Sequence, residues 1–316
     1  VTSLDLPGAV AADAPDAAVA GHYGDPYAEQ RMLERGAVVD RSHRGVLAVT
    51  GPDRLTWLHA LTTQDLERLA PGVRTELLVL SPHGHVEHQA VVVDDGSRTW
   101  LLTEPGAQPA LAAFLDSMRF LQRVEVIDET PRLATLGVTG DVLVPGAVVT
   151  AGSDVLVARD GLSLTGLPLA GHDAWEARRV AAGGARFGLD TDHRTLVHEV
   201  GWLAPAVALD KGCYRGQETV ARVHNLGRPP RRLVQVHLDG SGHLLPARGA
   251  ELSVDGRVVG RLTSAVRHHE LGPIGLALVK RSVPDDAPLL TGDGIAAAVE
   301  RDLSSPTQPV DLSALR

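Results

Sequence analysis

The stretch Lys211-Gly212-Cys213-Tyr214-Arg215-Gly216-Gln217-Glu218 holds the only cysteine in a chain of 316 residues. Glycines stand on both sides of the thiol, and glycine admits positive φ and the close approach of another backbone or a ligand. Lys211 and Arg215 lie two residues to either side of Cys213. Nearby cations favour thiolate over thiol, so an exposed cysteine here is expected to be reactive. Unpaired cysteine is often a small buried hydrophobe. The neighbours here, however, are Lys, Gly, Tyr, Arg, Gly, Gln and Glu rather than the apolar residues of a core strand. The stretch therefore reads as a functional loop, with Cys213 and Lys211 as its reactive residues.

On its C-terminal side, Arg228-Pro229-Pro230-Arg231-Arg232 reads as a linker, because consecutive prolines continue neither a helix nor a ladder. Beyond it Val234, Val236 and Leu238 alternate with Gln235 and His237, the pattern of a half-buried strand. Asp255-Gly256 between two apolar runs signals a hairpin with a type I′ turn. Ile274 to Val279 is a further strand. The C-terminal part is thus expected to be a small all-β module.

On the N-terminal side, Gly45 to Val49 reads as a strand. Thr50-Gly51-Pro52-Asp53 has the form of a capping box. The helix after it places Leu55, Leu58 and Leu61 on one side and is expected to end near Pro71-Gly72. Strands are expected at Glu76–Leu80, His85–Val93, Trp100–Thr103 and Val124–Val126, and helices at Glu29–Arg35, Ala110–Phe120 and Trp175–Ala181. Asp94-Asp95-Gly96 is a hairpin turn signal. Helices and strands mix without a regular βαβ rhythm, which points to an α+β class rather than a doubly wound sheet. Residues 1–20 are rich in Ala, Pro and Asp and lack a basic n-region. They read as a mobile tail, not a signal peptide or a membrane span.

Composition narrows the function classes. With 44% hydrophobic and 22% charged residues, the chain is expected to be an ordinary soluble, cytoplasmic globular protein. A formal net charge of −9 argues against nucleic acid as a partner, which needs a basic surface. One cysteine rules out an intrachain disulfide. An iron–sulfur cluster usually takes four protein ligands, mostly thiolates. This chain alone cannot supply them, so any dealing with clusters must be transient, shared or indirect.

The octapeptide, running on through Thr219, Val220, Ala221 and Arg222, resembles the signature of the YgfZ family. These are folate-binding proteins related to the aminomethyltransferase (T-protein) of glycine cleavage. The strand, Gly-Pro-Asp turn and Leu-rich helix ending in Thr62-Thr63-Gln64-Asp65 resemble the start of the same superfamily. The resemblance implies three lobes in a ring around a central opening. Two interleaved ferredoxin-like lobes would occupy residues 21–228, a β-barrel residues 229–303 and a loose tail residues 304–316. It implies tetrahydrofolate or a one-carbon derivative in the opening. Glu199 matches the superfamily glutamate that faces the pterin, and a carboxylate suits the two donors of a 2-aminopyrimidine edge. Trp202 is expected as a stacking wall or as plain core, with Tyr214 and Arg228 as further folate contacts. Arg222, Arg228, Arg231 and Arg232 are either a solvated linker or a seat for a polyglutamate tail. Gly212, Arg215, Gly216, Gln217 and Glu218 complete the signature loop. The implied function is tetrahydrofolate-dependent assistance in the assembly or repair of iron–sulfur enzymes, through Cys213 and with iron–sulfur client or assembly proteins as partners.

One departure from the relatives bears on enzymatic activity. In T-proteins the stretch after the Ser81-Pro82-His83-Gly84 turn carries an acidic pair, one aspartate of which handles folate N5. Here those positions hold His88 and Gln89, with Glu87 on the opposite strand face. A folate-dependent one-carbon transferase or demethylase stays open as the alternative, as does a pure interaction module. His83, His85 and Glu87 invite a metal reading. On one face of a strand, however, the outer two lie about 13 Å apart, too far for one ion to join all three. We read a polar face and assign no metal site. A cysteine-hydrolase pairing of Cys213 with His193, His198 or His224 lacks any nameable oxyanion or orienting residue.

Overall fold

The computed structural model describes residues 2–242 and 244–305. Its chain order explains the interleaving of two lobes. The strand Val38–Asp40 pairs with Leu133–Val138 in a four-stranded sheet completed by Asp154–Ala158 and Ala147–Ala151. Between those two neighbours the chain leaves to build an entire second sheet. Its five strands run in the order Arg74–Leu80, Val86–Asp94, Arg98–Thr103, Gly45–Thr50 and Glu125–Asp128. Every ladder is antiparallel, which fits the α+β expectation.

Strand periodicity sorts the apolar residues of the five-stranded sheet onto two buried faces. Leu47, Val49, Leu77, Val79, Ala90, Val92 and Leu101 pack under two helices through Trp57, Leu58, Leu111 and Leu115. Val46, Ala48, Val91, Val93, Trp100 and Leu102 meet Leu133, Ala151 and Leu156 of the four-stranded sheet. A strand buried on both faces needs a continuous apolar run, and Gly45-Val46-Leu47-Ala48-Val49 is one. The helices are α1 (Pro26–Arg35), α2 (Arg54–Leu61), α3 (Gln108–Ser117), α4 (His172–Ala182), α5 (Leu203–Ala206) and α6 (Gln217–Leu226).

The third lobe is a closed barrel with the strand order Arg231–Leu238, Gly272–Lys280, Arg257–His268, Glu251–Val254, Leu289–Thr291 and Ala296–Asp302. Val234, Val236, Leu252, Leu262, Ala277 and Val279 fill its interior. The alternate residues Leu233, Ile274 and Leu276 point outward into a cluster with Trp202, Leu203, Tyr214 and Val220. The barrel wall is thus the floor beneath the Cys213 loop. Asp255 and Gly256 turn the hairpin with φ of 49° and 73°, the positive pair that a type I′ turn requires.

Four expectations change. Helix α2 ends at Leu61, well before Pro71-Gly72, where Thr62 turns extended with φ −123° and ψ 171° and bonds its hydroxyl to the Leu58 carbonyl. Its capping box does not form. Asp53, at the N-cap, instead accepts from the backbone N–H and guanidinium of Arg123. Residues 2–20 are not a loose tail: Ser3 and Asp16 are buried, and Val10–Ala11 pairs with Ala20–His22. Ser304 and Ser305 belong to the packed body, since Ser305 donates its N–H to the His198 carbonyl and accepts from Leu203 N–H. The remainder of the expected tail, residues 306–316, lies outside the described residues.

Candidate functional site

The Cys213 loop connects α5 to α6 and lies against the turn between the strands Arg74–Leu80 and Val86–Asp94. Two glycines make that approach possible. Gly216, the N-cap of α6, has φ +83°, and a Cβ there would fall 2.6 Å from the Ser81 carbonyl oxygen. Gly84 has φ +79°, and a Cβ there would meet Thr219 at 2.8 Å. Only residues without a side chain let these backbones touch.

Cys213 is exposed, while the next residue, Tyr214, is buried among Leu78, Leu80, Val86 and Val220. Burial pushes the Tyr214 hydroxyl up to about 12. Lys211 turns away from the thiol. Its Nζ donates to the carbonyls of His59, Thr62 (2.6 Å) and Gln64 (3.0 Å), where α2 ends. The final carbonyls of a helix lack intrahelical partners, and a cation placed there answers both their hydrogen-bonding need and the helix dipole. Burial lowers Lys211 to about 8, against the pull of Asp65 and Glu67. Arg215 pairs with Glu87 at 3.1 Å across the surface. Both cations therefore hold the loop to its surroundings.

Glu199 sits behind the loop, fully buried. Its Oε1 accepts from Arg231 N (3.2 Å) and Nε (3.0 Å), and its Oε2 from Arg231 Nη2 (2.8 Å) and Leu196 N (3.1 Å). Arg231 also reaches Asp192 at 2.6 Å. Burial opposes the charge of Arg231, but the pairing with Glu199 and Asp192 raises it above its ordinary value. Arg231 thus fills the carboxylate fork at which the sequence resemblance implied a pterin edge. Neighbouring His198 is 1% exposed and stacks on His224 of α6 at 6.2 Å. Burial, aided by His224, pushes His198 down to about 4.

Trp202 belongs to the core, the second of its two expected roles. It is buried in the cluster shared with Tyr214, and it lines a cavity of about 370 Å³ with Glu76, Gly183, Gly184, Pro205 and Arg301. Arg228 and Arg222 are exposed, whereas Arg232 is buried and reaches out to the more exposed Asp285 and Asp302. Arg231 and Arg232, adjacent in sequence, are therefore drawn to separate carboxylates. His88 leans on Phe114 with ring centroids 5.8 Å apart, and Gln89 donates to Glu76 at 3.2 Å. Glu76 is a carboxylate of this region that sequence reasoning missed. Its place follows from strand pairing rather than from any motif. His83 lies in the turn and His85 just before the strand, with ring centroids 6.4 Å apart.

A second set of ionisable residues escaped the sequence entirely. Arg186 Nη1 and Nη2 fork onto Asp16 at 2.9 Å each, and Arg186 also reaches Glu104 at 2.6 Å and Glu176 at 3.1 Å. Arg44 pairs with Glu104 at 2.9 Å. Arg179 joins Glu176 and Asp190, and Asp190 accepts from Thr263 and Ser264 of the barrel. This buried hub ties the N-terminal segment, the five-stranded lobe, α4 and the barrel together. Burial would raise the Glu176 carboxyl, but Arg179 and Arg186 override it and hold it near 2. Asp16 and Glu176 line the larger cavity, of about 640 Å³.

Comparison with known proteins gives the architecture its relatives. The C-terminal β-barrel domain of CAF17 matches residues 231–305. A protein of Arabidopsis thaliana carrying the name of a chloroplastic transferase is 26% identical, covering 83% of this chain and 69% of its own. An aminomethyltransferase of Rippkaea orientalis is also 26% identical, over 77% of this chain and 78% of its own. A mitochondrial iron-sulfur cluster assembly factor IBA57 homolog of Mycosarcoma maydis is 24% identical, over 76% and 73%. Among solved structures, the glycine cleavage system aminomethyltransferase T of Bartonella henselae superposes with a TM-score of 0.79 at 18% identity, covering 94% of each chain. The chain has the aminomethyltransferase fold, and its barrel is of the CAF17 type.

Proposed function

We propose that this chain is a YgfZ-type accessory factor that assists iron–sulfur proteins through Cys213, with a reduced folate as its ligand. The observation that carries the reading is the presentation of the thiol. Cys213 is exposed while Lys211, Tyr214 and Arg215 on either side of it are tied down. Such a loop offers one soft ligand or nucleophile at a fixed place. One thiolate cannot hold a cluster alone, so the cluster or its iron is shared with a partner protein. The CAF17-type barrel and the likeness to an assembly factor support this reading.

The folate part rests on the relatives named aminomethyltransferase and on the cavity beside Trp202. A guanidinium and a 2-aminopyrimidine both present paired N–H donors to a carboxylate. A pterin that reaches Glu199 must therefore displace Arg231. The test has two parts. Cells carrying only Cys213→Ser are expected to lose activity of their iron–sulfur enzymes while cluster-free enzymes keep theirs. Tetrahydrofolate is expected to raise the melting temperature of the wild type and not that of Trp202→Ala. Full iron–sulfur enzyme activity in the mutant cells would overturn the central claim.

A second reading, a folate-dependent transferase or demethylase, draws on Glu76, a carboxylate lining the Trp202 cavity. The absence of acid at His88 and Gln89 weighs against it. Formation of methylene-tetrahydrofolate from an aminomethyl-carrying partner at T-protein rates would decide for it. Among the described residues no helix is long and apolar enough to cross a membrane.

A further inference from the structure

The larger cavity ends on Asp16 and His172, and His43 lies beside them; none has a part in the Cys213 loop. Asp16, His43 and His172 bring one ligand atom each to within 4.8 Å of one another. His43 Nε2 lies 2.8 Å from Asp16 Oδ1, and His172 Nε2 lies 3.3 Å from Asp16 Oδ2. The two imidazoles meet edge to face at 5.1 Å between centroids. Asp16 and His172 line the cavity of about 640 Å³, together with Asp13, His22, Asp173 and Glu176.

A second observation points to a missing partner. His172 is 2% exposed, and its Nδ1, like His43 Nδ1, has no hydrogen-bond partner, while its Nε2 has only the contact with Asp16. Buried polar atoms left in this state cost free energy unless something absent satisfies them. We propose that Asp16, His43 and His172 form a binding site for a divalent first-row transition-metal ion whose open positions face the cavity.

The donor set selects the class of ion. Two imidazole nitrogens and one carboxylate suit zinc(II) or iron(II), and two nitrogens disfavour calcium and magnesium, which take oxygen. Donors held about 2.0–2.2 Å from one ion stand roughly 3–3.5 Å apart, close to the two separations from Asp16, 2.8 and 3.3 Å. Imidazole ligates in its neutral form, so binding is expected to strengthen as pH rises through the histidine range. Arg186 forks onto Asp16, but it also faces Glu104 and Glu176, so its charge is matched by carboxylates other than the ligand. A carboxylate oxygen carries two lone pairs, and hydrogen bonds to a ligating carboxylate are the usual outer support of a metal site. Asp173 and Glu176 offset the positive end of α4, where His172 sits.

The test uses the full chain, stripped by a chelator and titrated with cobalt(II), read by visible absorption, and with zinc(II), read by calorimetry. One equivalent of each is expected. His172→Gln and His43→Gln are expected to weaken binding by more than about 100-fold, beyond the 10–100-fold that loss of an outer-shell partner costs. The double variant His83→Gln/His85→Gln is expected to bind as the parent does. X-ray absorption of the zinc-loaded parent chain is expected to show two imidazoles and no sulfur. That measurement decides the matter even where a variant fails to fold. Absence of stoichiometric binding by the folded parent, a sulfur or imidazole-free shell, or binding unchanged in folded His172→Gln overturns the proposal.

Discussion

The Arg186 hub and the Cys213 loop draw on the same kinds of residue for opposite ends. In the hub, Arg186 touches carboxylates from the N-terminal segment, the five-stranded lobe and α4, and the side chains of Arg186, Asp16 and Glu104 are at most 8% exposed. In the loop, the Arg215–Glu87 pair is about 40% exposed and the thiol is left open. Buried ion pairs return little net stability relative to apolar packing, but they cost dearly when broken. The hub therefore acts as a register device that allows one arrangement of the lobes. The loop uses its cations to fix backbone and leaves its reactive atom free.

The comparison breaks most visibly at Arg186. Arg186→Met leaves Asp16, Glu104 and Glu176 facing one another in the interior, and is expected to cost about 3–5 kcal/mol of unfolding free energy. Arg215→Met removes only a surface pair and is expected to cost less than about 1 kcal/mol. Denaturant unfolding of the two variants side by side checks this. Equal losses would mean that the hub is no more constrained than the surface.

Acid separates the two halves of the molecule by pH. An unfolded chain protonates His198 near pH 6.5, whereas in the fold it holds out to about 4. Between those values the unfolded state binds more protons, so stability is complete above pH 6.5 and falls as pH drops to 4, by on the order of 3 kcal/mol. The hub follows at lower pH. Glu176, held near 2, contributes stability that is full above its unfolded value of about 4.5 and is lost toward pH 2. His198→Phe is expected to flatten the upper window and leave the lower one in place. Stability measured from pH 7 to 3 shows whether the two steps are separable.

These two regions were unequally legible in the sequence. The loop is contiguous, so Gly-Cys-Tyr-Arg-Gly announced itself, as did Asp255-Gly256, whose turn chemistry is local. What the loop's side chains bind was not legible. Lys211 reads as a neighbour of the thiol in one dimension, but its partners His59, Thr62 and Gln64 belong to another element. Glu199 stands out in the sequence as a candidate carboxylate, but its partner Arg231 reads as linker, because the first barrel strand starts immediately after Pro229-Pro230. The hub was invisible. Asp16, His43, Glu104, His172 and Arg186 share no spacing, and Asp16 lies in a stretch whose composition resembles a tail. Only tertiary pairing across the lobes assembles them.

Within the loop the two glycines make a sharper comparison. Gly216→Ala forces a left-handed residue and drives a Cβ to 2.6 Å from the Ser81 carbonyl oxygen, for an expected cost of about 1–3 kcal/mol. Gly212 has nothing within 4 Å of its would-be Cβ, so Gly212→Ala is expected to change stability by no more than about 0.5 kcal/mol. Comparable costs for the two would show that the loop is not held against the Ser81–Gly84 turn.

The smallest expected effect is the most informative. Cys213→Ser exchanges one small exposed side chain for another, and Cys213 contributes to none of the core clusters. The loop is held by Lys211 on the end of α2, by Tyr214 in the core and by Gly216 on the turn, none of which uses the thiol. A surface substitution away from such features is expected to shift stability by less than about 0.5 kcal/mol. Folded protein is expected to label with iodoacetamide at a rate close to that of the denatured chain, since access and not unfolding limits the reaction. A buried structural thiol makes the opposite forecast on both counts, with slow labelling that follows global unfolding and a clear loss of melting temperature in the serine variant. Either outcome would move Cys213 from the surface comparison into the core, and with it the reason for assigning the loop a chemical role.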